Sequence, residues 1–495
     1  MILSKHIHLI GICGTGMAAL AGMLKQRGYE ITGSDLNVYP PMSTFLEQQQ
    51  IPVYQGFDPA HLQPPPDLVI VGNAMSRGNP EVEYTLNAGL RYYSLPEALK
   101  EFFIRGKYSC VIAGTHGKTT TSSLLAWTLE SAGLDPSFFI GGIPENFGQG
   151  FKLGNGRHFV LEGDEYDSAF FDKGSKFFHY LPNLVILNNI EYDHADIFNN
   201  FEEVKTAFRR LINIIPGNGY LIACSDDPAV REMLPRALCL VLTYGVGAQA
   251  EWRPTLTRAL PEGTEFIIEH RGEKFGSLFI PLAGEHNVKN ATAVFAAARC
   301  LGVSPEKISA ALNTFRGVRR RLQVKYDREV LVLDDFAHHP TEVRETLCGV
   351  RQRFPERRIW AVFEPRTAST KRKVFEEEYI RAFETADRVV FAPMHRPDKV
   401  PEAERLSLEN VVAGVRRGGK PADIVPAGDE MANFIIQHIT RGDIILFMSN
   451  GDFSGMPSRL VEKLALRVQP REENNLQEED HERRKRTRRS NDIEV

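Results

Sequence analysis

Ala113-Gly114-Thr115-His116-Gly117-Lys118-Thr119-Thr120-Thr121 is the stretch on which the fold turns. It follows an apolar run, Cys110 to Ala113, that reads as a buried strand, and it opens a segment that predicts a helix over 119–131. A helix start leaves several backbone N–H groups without intrahelical partners and carries partial positive charge, so a glycine turn joining strand to helix is a seat for phosphate. Gly114 and Gly117 let the backbone approach the phosphates, Lys118 can reach the β- and γ-phosphates, and the Thr119 hydroxyl can ligate Mg2+. Ile112 stands where the usual G-x-x-x-x-G-K-[ST] pattern has its first glycine, so the written motif fails while its strand–turn–helix setting survives. The reading is nucleotide binding; the plainer alternative is a glycine turn with an exposed lysine.

A second glycine turn lies upstream. Gly11-Ile12-Cys13-Gly14-Thr15-Gly16-Met17 follows a predicted strand over 6–12 and opens a predicted helix over 17–27. Its spacing is not that of the dinucleotide fingerprint G-x-G-x-x-G, yet amides at a helix start can hold a pyrophosphate all the same. Gly33-Ser34-Asp35 ends the next strand, where a ribose or base would lie, and Gly72-Asn73-Ala74 ends another. Alone, this turn suits NAD or another diphosphate-linked nucleotide, or is a tight structural turn. The phosphate loop downstream favours a UDP-sugar.

Strands and helices alternate through most of the chain, which implies parallel sheets with crossover helices. Three α/β domains are expected: 1–105, 106–322 and 323–468, the outer two Rossmann-like and the central one built around the phosphate loop. Residues 264–270 and 276–280 break the alternation and read as an antiparallel pair.

Two acidic motifs follow predicted strands of the central domain, Glu162-Gly163-Asp164-Glu165-Tyr166-Asp167 and Asn188-Asn189-Ile190-Glu191-Tyr192-Asp193-His194-Ala195-Asp196. Both fall at strand carboxyl ends, where open α/β sheets bind ligands. Mg2+ takes a few hard oxygen ligands beside phosphate and water, so Glu162 is a candidate ligand and His194 a candidate partner, direct or through water. Solvated acidic loops are the alternative. Glu285-His286-Asn287-Val288-Lys289-Asn290 opens a helix whose Asn side-chain amides can pair with the donor and acceptor edges of adenine, although Asn287 can equally serve as a helix cap. In the third domain, His338 and His339 beside Asp335 suit the handling of an amine and its proton, and Arg366 suits a carboxylate or phosphate, unless it is a plain surface arginine.

Bulk properties agree with a soluble multidomain enzyme. The 495 residues suggest roughly three domains at about 150 residues each. With 59 basic against 63 acidic residues there is no global charge for nucleic acid, so anions must be held by local devices. The six cysteines are scattered without a C-x-x-C pair, which fits a reducing cytoplasm, and no apolar window is long enough for a membrane span. From Gln469 to Val495 the chain is almost entirely polar and is expected to be a disordered, solvated tail.

Taken together, Gly11–Met17, Gly114–Thr120, Glu162–Asp167, Glu191–Asp196, Glu285–Asn290 and Asp335–Glu342 resemble the motifs of the Mur ligases, in their order, over about residues 5–465. The resemblance implies a UDP-binding domain, a central ATPase and a domain that brings an amine. It implies that Gly14, Thr15, Gly16, Met17, Ser34, Asp35 and Asn73 serve the UDP-sugar. Gly114, Thr115, His116, Gly117, Lys118, Thr119, Thr120, Asn290, Arg319 and Asp335 would serve ATP, and Thr119, Glu162 and His194 the Mg2+. Lys118, His194 and His338 would be catalytic, with His338 and Arg366 at the amine substrate. Two members of that family act on UDP-N-acetylmuramate itself, one adding L-alanine and the other the tripeptide L-Ala-γ-D-Glu-meso-diaminopimelate. Asp335-Phe336-Ala337-His338-His339-Pro340 and Met448-Ser449-Asn450-Gly451 are more similar to the tripeptide-adding type. An NAD-dependent oxidoreductase and a nucleotide-driven switch are the rivals from other classes; the first leaves Gly114–Thr119 unexplained.

Overall fold

The computed structural model describes residues 5–466 other than Asp196 and Ala368, and the chain forms two compact units that part between Arg319 and Arg320. The tail from Gln469 and the last residue of the second acidic motif, Asp196, therefore lie outside the described residues.

The first unit contains two sheets. The first sheet has five parallel strands in the order Val53–Gln55, Glu30–Asp35, His6–Ile10, Leu68–Val71, Tyr92–Ser94. The first strand stops at Ile10, two residues short of expectation. Gly11 turns the backbone at φ 81°, and the Gly11 and Ile12 N–H groups both donate to the Ser34 carbonyl at 2.8 and 3.1 Å. The chain then enters the helix Thr15–Gln26, which buries Met17, Leu20, Ala21 and Leu24 and ends at the left-handed Gly28. Strand order reverses direction between His6–Ile10 and Leu68–Val71, which opens a crevice beyond their carboxyl ends.

The second sheet has ten strands. Six run parallel in the order Leu240–Tyr244, Tyr220–Cys224, Pro182–Leu187, Tyr108–Ala113, His158–Gly163, Ser137–Phe139, with Phe151–Lys152 antiparallel at that edge. At the other edge lie Trp252–Leu260, Gly263–His270 and Glu273–Ile280, successively antiparallel. The expected pair is present, and a third strand joins it. Here too the order reverses, at Tyr108–Ala113, so the phosphate loop sits at the switch point of its sheet.

The helix that follows, Lys118–Ser131, begins with residues of modest helix propensity and is buried on nearly every side. Its hydroxyls are satisfied within the helix: Ser122 donates to Lys118 O at 2.8 Å, Ser123 to Thr119 O at 2.6 Å and Thr128 to Leu124 O at 2.7 Å. The two sheets share apolar packing. Gly22 admits the Phe45 and Phe151 rings, whose centroids are 5.9 Å apart edge to face; a Cβ there would fall 2.9 Å from Phe151.

The second unit is a six-stranded sheet in the order Gln323–Asp327, Leu331–Asp335, Ile444–Met448, Ile359–Phe363, Arg388–Phe391, Ala422–Ile424, parallel except for the first pair. The three α/β sheets bear out the expected fold class. Among the described residues no helix is long and apolar enough to cross a membrane.

Candidate active site

The phosphate loop is held by the chain segment after the neighbouring strand. Thr115 N–H donates to Asn189 O at 3.0 Å and His116 N–H to Asn189 Oδ1 at 2.7 Å. Asn188 Nδ2 donates to His116 O at 3.1 Å, while Asn188 Oδ1 accepts from the buried Tyr244 hydroxyl at 2.8 Å. The Thr115 hydroxyl bonds Glu191 N–H at 2.9 Å. Gly114, at φ 131°, passes so close to Asn189 that a Cβ would lie 3.0 Å from its backbone N and O. Gly117, in the left-handed region at φ 79°, starts the helix without a side-chain cap, so its first amides face the loop.

Lys118 folds back over this loop. Its Nζ donates to Gly114 O at 2.8 Å and Thr115 O at 3.2 Å and pairs with Glu165 Oε2 at 3.0 Å. The second oxygen of Glu165 lies 3.2 Å from His194 Nε2. Burial works against charge on all three groups, yet their mutual attraction prevails. Glu165 is held down at about 2, His194 is raised to about 9, and Lys118 is raised by Glu165 and Asp164. His194 itself sits at φ 51°, a backbone state uncommon outside glycine. Glu165 is the residue whose role the acidic motif did not reveal.

Glu162 occupies a different place. Its carboxylate accepts from Gly141 N–H and meets the Thr119 hydroxyl, and burial followed by the nearby Asp164 pushes its proton affinity up. A half-buried carboxylate beside a threonine hydroxyl and a second acid is a donor set that suits a small hard cation, so Glu162 and Thr119 fit Mg2+. Of the remaining acids in this motif, Asp164 pairs with Lys176 at 3.2 Å and Asp167 with Lys173 at 2.6 Å.

Asn290 is buried against the Gly117 turn, where a Cβ on Gly117 would lie 3.1 Å from its Oδ1. Asn287 does not cap its helix. The helix Glu285–Cys300 is capped by Gly284 at φ 94°, and Asn287 Nδ2 donates back to Ala283 O at 2.7 Å. Arg319 is about half exposed and pairs with Glu145 at 3.3 Å.

At the upstream turn, Gly14 begins the helix with no side-chain cap, and Gly14, Thr15 and Asn73 are exposed around the crevice while Met17 is buried beneath it. Asp35 organises the turn from behind: its oxygens accept from Cys13 N–H and Asn37 N–H, each at 2.9 Å. Ser34 departs from expectation. Its side chain is fully buried and donates to Glu81, so only its carbonyl, which receives Gly11 and Ile12, reaches the turn.

In the second unit three neighbouring strands end in Asp335, Met448 and Phe363. Asp335 is buried, and its two oxygens accept from Leu322 N–H at 2.6 Å and Ala337 N–H at 2.7 Å, so it ties the motif to the chain entering this unit. His338 Nδ1 lies 3.1 Å from both Phe336 O and Glu342 Oε2, and its carbonyl accepts from Tyr379. Arg366 pairs with Asp452 at 2.7 Å and lies 3.6 Å from Glu364, which accepts from Ser449 Oγ at 2.6 Å.

The architecture has counterparts among known proteins. The Mur ligase family catalytic domain matches residues 6–107, the Mur ligase middle domain 112–298, and the Mur ligase glutamate ligase domain 320–451. The UDP-N-acetylmuramate–L-alanyl-γ-D-glutamyl-meso-2,6-diaminoheptandioate ligase of Escherichia coli K12 is 41% identical over 94% of this chain and 99% of its own. A UDP-N-acetylmuramate–L-alanine ligase of Geotalea daltonii is 33% identical over 93% of this chain and 98% of its own. The crystal structure of a murein peptide ligase from Psychrobacter arcticus shares 36% identity over 93% of this chain and 98% of that one, with a TM-score of 0.69. Because these matches take in the uncapped turn at Gly14, the braced loop at Gly117 and the strand ends around Asp335 alike, the chain belongs to the Mur ligase family.

Proposed function

We propose that this chain is an ATP-dependent ligase that joins the carboxylate of UDP-N-acetylmuramate to the amine of L-Ala-γ-D-Glu-meso-diaminopimelate. The observation that carries the substrate is the 41% identity, across almost the whole of both chains, to the tripeptide-adding enzyme, against 33% to an alanine-adding one. The functional domains are 1–105 for the UDP-sugar, 106–322 for ATP and 323–468 for the amine. A reaction that consumes ATP and a UDP-sugar belongs in the cytoplasm, here in the recycling of peptidoglycan.

A carboxylate is a poor electrophile because its charge is delocalised. One of its oxygens attacks the γ-phosphorus of ATP, the bond to the bridging oxygen breaks, and ADP leaves. The resulting acyl phosphate is attacked at its carbonyl carbon by the neutral peptide amine. The tetrahedral intermediate then loses phosphate and a proton to give the amide. Protein groups assist the first step chiefly by position and charge. The amides from Lys118 to Thr120 and the Lys118 ammonium take the phosphates. Glu165 holds the Lys118 ammonium charged and aimed across the loop, and His194 holds Glu165. Glu162 and Thr119 would hold Mg2+, which would neutralise phosphate charge. Gly14 to Met17 seat the UDP diphosphate, and Asn290 borders the nucleotide at Gly117. In the second unit, His338 is oriented by Glu342 for the amine proton and Arg366 faces a substrate carboxylate.

The deciding experiment offers tripeptide and L-alanine separately, each with UDP-N-acetylmuramate and ATP, and measures phosphate release. Release with tripeptide supports the proposal. Release with L-alanine alone overturns the substrate, and release that needs no amine overturns the ligase.

A further inference from the structure

Behind the UDP-sugar turn, and outside every motif read from the sequence, a single carboxylate gathers two strands of the first sheet and the short helix Pro59–Leu62 with its cap. Glu81 is fully buried in the helix Pro80–Asn87. One oxygen accepts from Ser34 Oγ and lies 3.5 Å from His8 Nε2; the other is 2.7 Å from His61 Nδ1 and accepts from Asp58 N–H at 3.2 Å. His8 Nδ1 is in turn bonded to Thr32 Oγ1 at 2.9 Å, which also meets His6 Nε2 at 2.8 Å. Burial opposes the charge of Glu81, but the contacts with His8, Ser34 and His61 outweigh it and keep its proton affinity below the ordinary glutamate value.

Ser34 is the link to the ligand side. Its hydroxyl is bound to Glu81, and its carbonyl receives the Gly11 and Ile12 N–H groups that turn the chain out of the strand toward Gly14. Gly33, just before it, has no lateral freedom: a Cβ there would lie 2.5 Å from Ile12 Cδ1 and 2.7 Å from Leu9 O. The turn therefore hangs from Ser34, whose backbone is paired in the sheet and whose hydroxyl is held by Glu81.

We propose that Glu81 is a positioning residue for the UDP-sugar: through Ser34 it fixes the glycine turn in the geometry that receives the diphosphate. The inference rests on the assignment of the UDP-sugar to that turn. Losing one hydrogen bond to a buried charge in such a network should weaken binding by roughly tenfold to a hundredfold.

The test compares wild type, Glu81→Gln and Ser34→Ala; Ser34→Ala severs the link while leaving Glu81 with His61 and Asp58. The proposal expects both to raise KM for UDP-N-acetylmuramate about tenfold, with kcat and KM for ATP within roughly twofold of wild type. Calorimetric binding of UDP-N-acetylmuramate without ATP should weaken in parallel. A fall in kcat at unchanged UDP-sugar KM, or unchanged UDP-sugar affinity in a folded Ser34→Ala, overturns it. Wild-type protein that does not bind UDP-N-acetylmuramate at all would instead overturn the underlying assignment.

Discussion

Lys118 Nζ lies 3.0 Å from one oxygen of Glu165, and His194 Nε2 lies 3.2 Å from the other. One buried carboxylate thus joins the phosphate-loop lysine to a histidine that follows the next strand of the sheet. Lys118→Ala removes the only lysine of the loop and should lower kcat by roughly 10²–10³-fold. UDP-N-acetylmuramate binding, proposed for the upstream turn, should stay within about twofold of wild type. Steady-state phosphate release and calorimetry check the two halves, and near-normal ligation would remove Lys118 from phosphoryl transfer.

The same trio has a pH signature in stability. His194 titrates at about 9 in the fold against an ordinary value of 6.5. Its contribution is therefore fully present below about 6.5 and is lost as pH rises through about 9. Glu165 runs the other way, from 4.5 ordinarily to about 2, so its contribution is present above 4.5 and fades only as pH falls through about 2. Thermal unfolding of ligand-free protein should therefore show wild type losing more stability between pH 6.5 and 9 than His194→Ala does. Parallel curves for the two proteins would mean that the pair does not carry charge in the fold.

Much of this was legible in the sequence because backbone devices leave local marks. Gly114 and Gly117 mark a turn that needs positive φ and close approach, and the alternation of apolar runs marked all three sheets. What was illegible depends on geometry across the chain. Four acids crowd residues 162–167, and nothing in their spacing tells which reaches Thr119, which Lys118 and which a surface lysine; the bend after the strand His158–Gly163 decides it. Ser34 read as a ligand contact because Glu81, its partner, lies 47 residues away. The strand Trp252–Leu260 is hard to read from sequence because a proline, Pro254, falls within it and its outer half is exposed.

The bracing of the loop predicts a selective loss of ATP. Gly117 stands at φ 79°, and a Cβ there would fall 2.9 Å from Asn188 Nδ2, which is already bound to His116 O. Gly117→Ala must therefore accept a left-handed alanine, at a cost of roughly 1–2 kcal/mol, and also push Asn188 from its place. KM for ATP should rise at least about tenfold while UDP-N-acetylmuramate binding holds. Asn188→Ala tests the brace without the backbone strain. It removes the Asn188 partner of the buried Tyr244 hydroxyl and leaves it only the weak Cys224 thiol, so its melting temperature should fall, with a loss of about 1–3 kcal/mol. Unchanged ATP affinity in Gly117→Ala would show that the loop tolerates a different path.

Arg366 offers a test confined to the second unit. Gly451 lies directly under its guanidinium, so a Cβ at that position would meet Arg366 Nη1, Cδ and Cζ at overlapping distance, whereas the glycine's own backbone needs no positive φ. Alanine at 451 is therefore acceptable to the chain and unacceptable to the arginine. It should displace the guanidinium from Asp452 and Glu364 without unfolding the sheet. If Arg366 receives a carboxylate of the peptide, Gly451→Ala and Arg366→Ala should each raise KM for the tripeptide, by roughly tenfold, and leave KM for ATP and for UDP-N-acetylmuramate unchanged. A rise in Arg366→Ala alone would place the recognition on guanidinium atoms that Gly451 does not confine. An unchanged peptide KM in both would take Arg366 out of the amine-substrate site and leave it as the structural partner of Asp452.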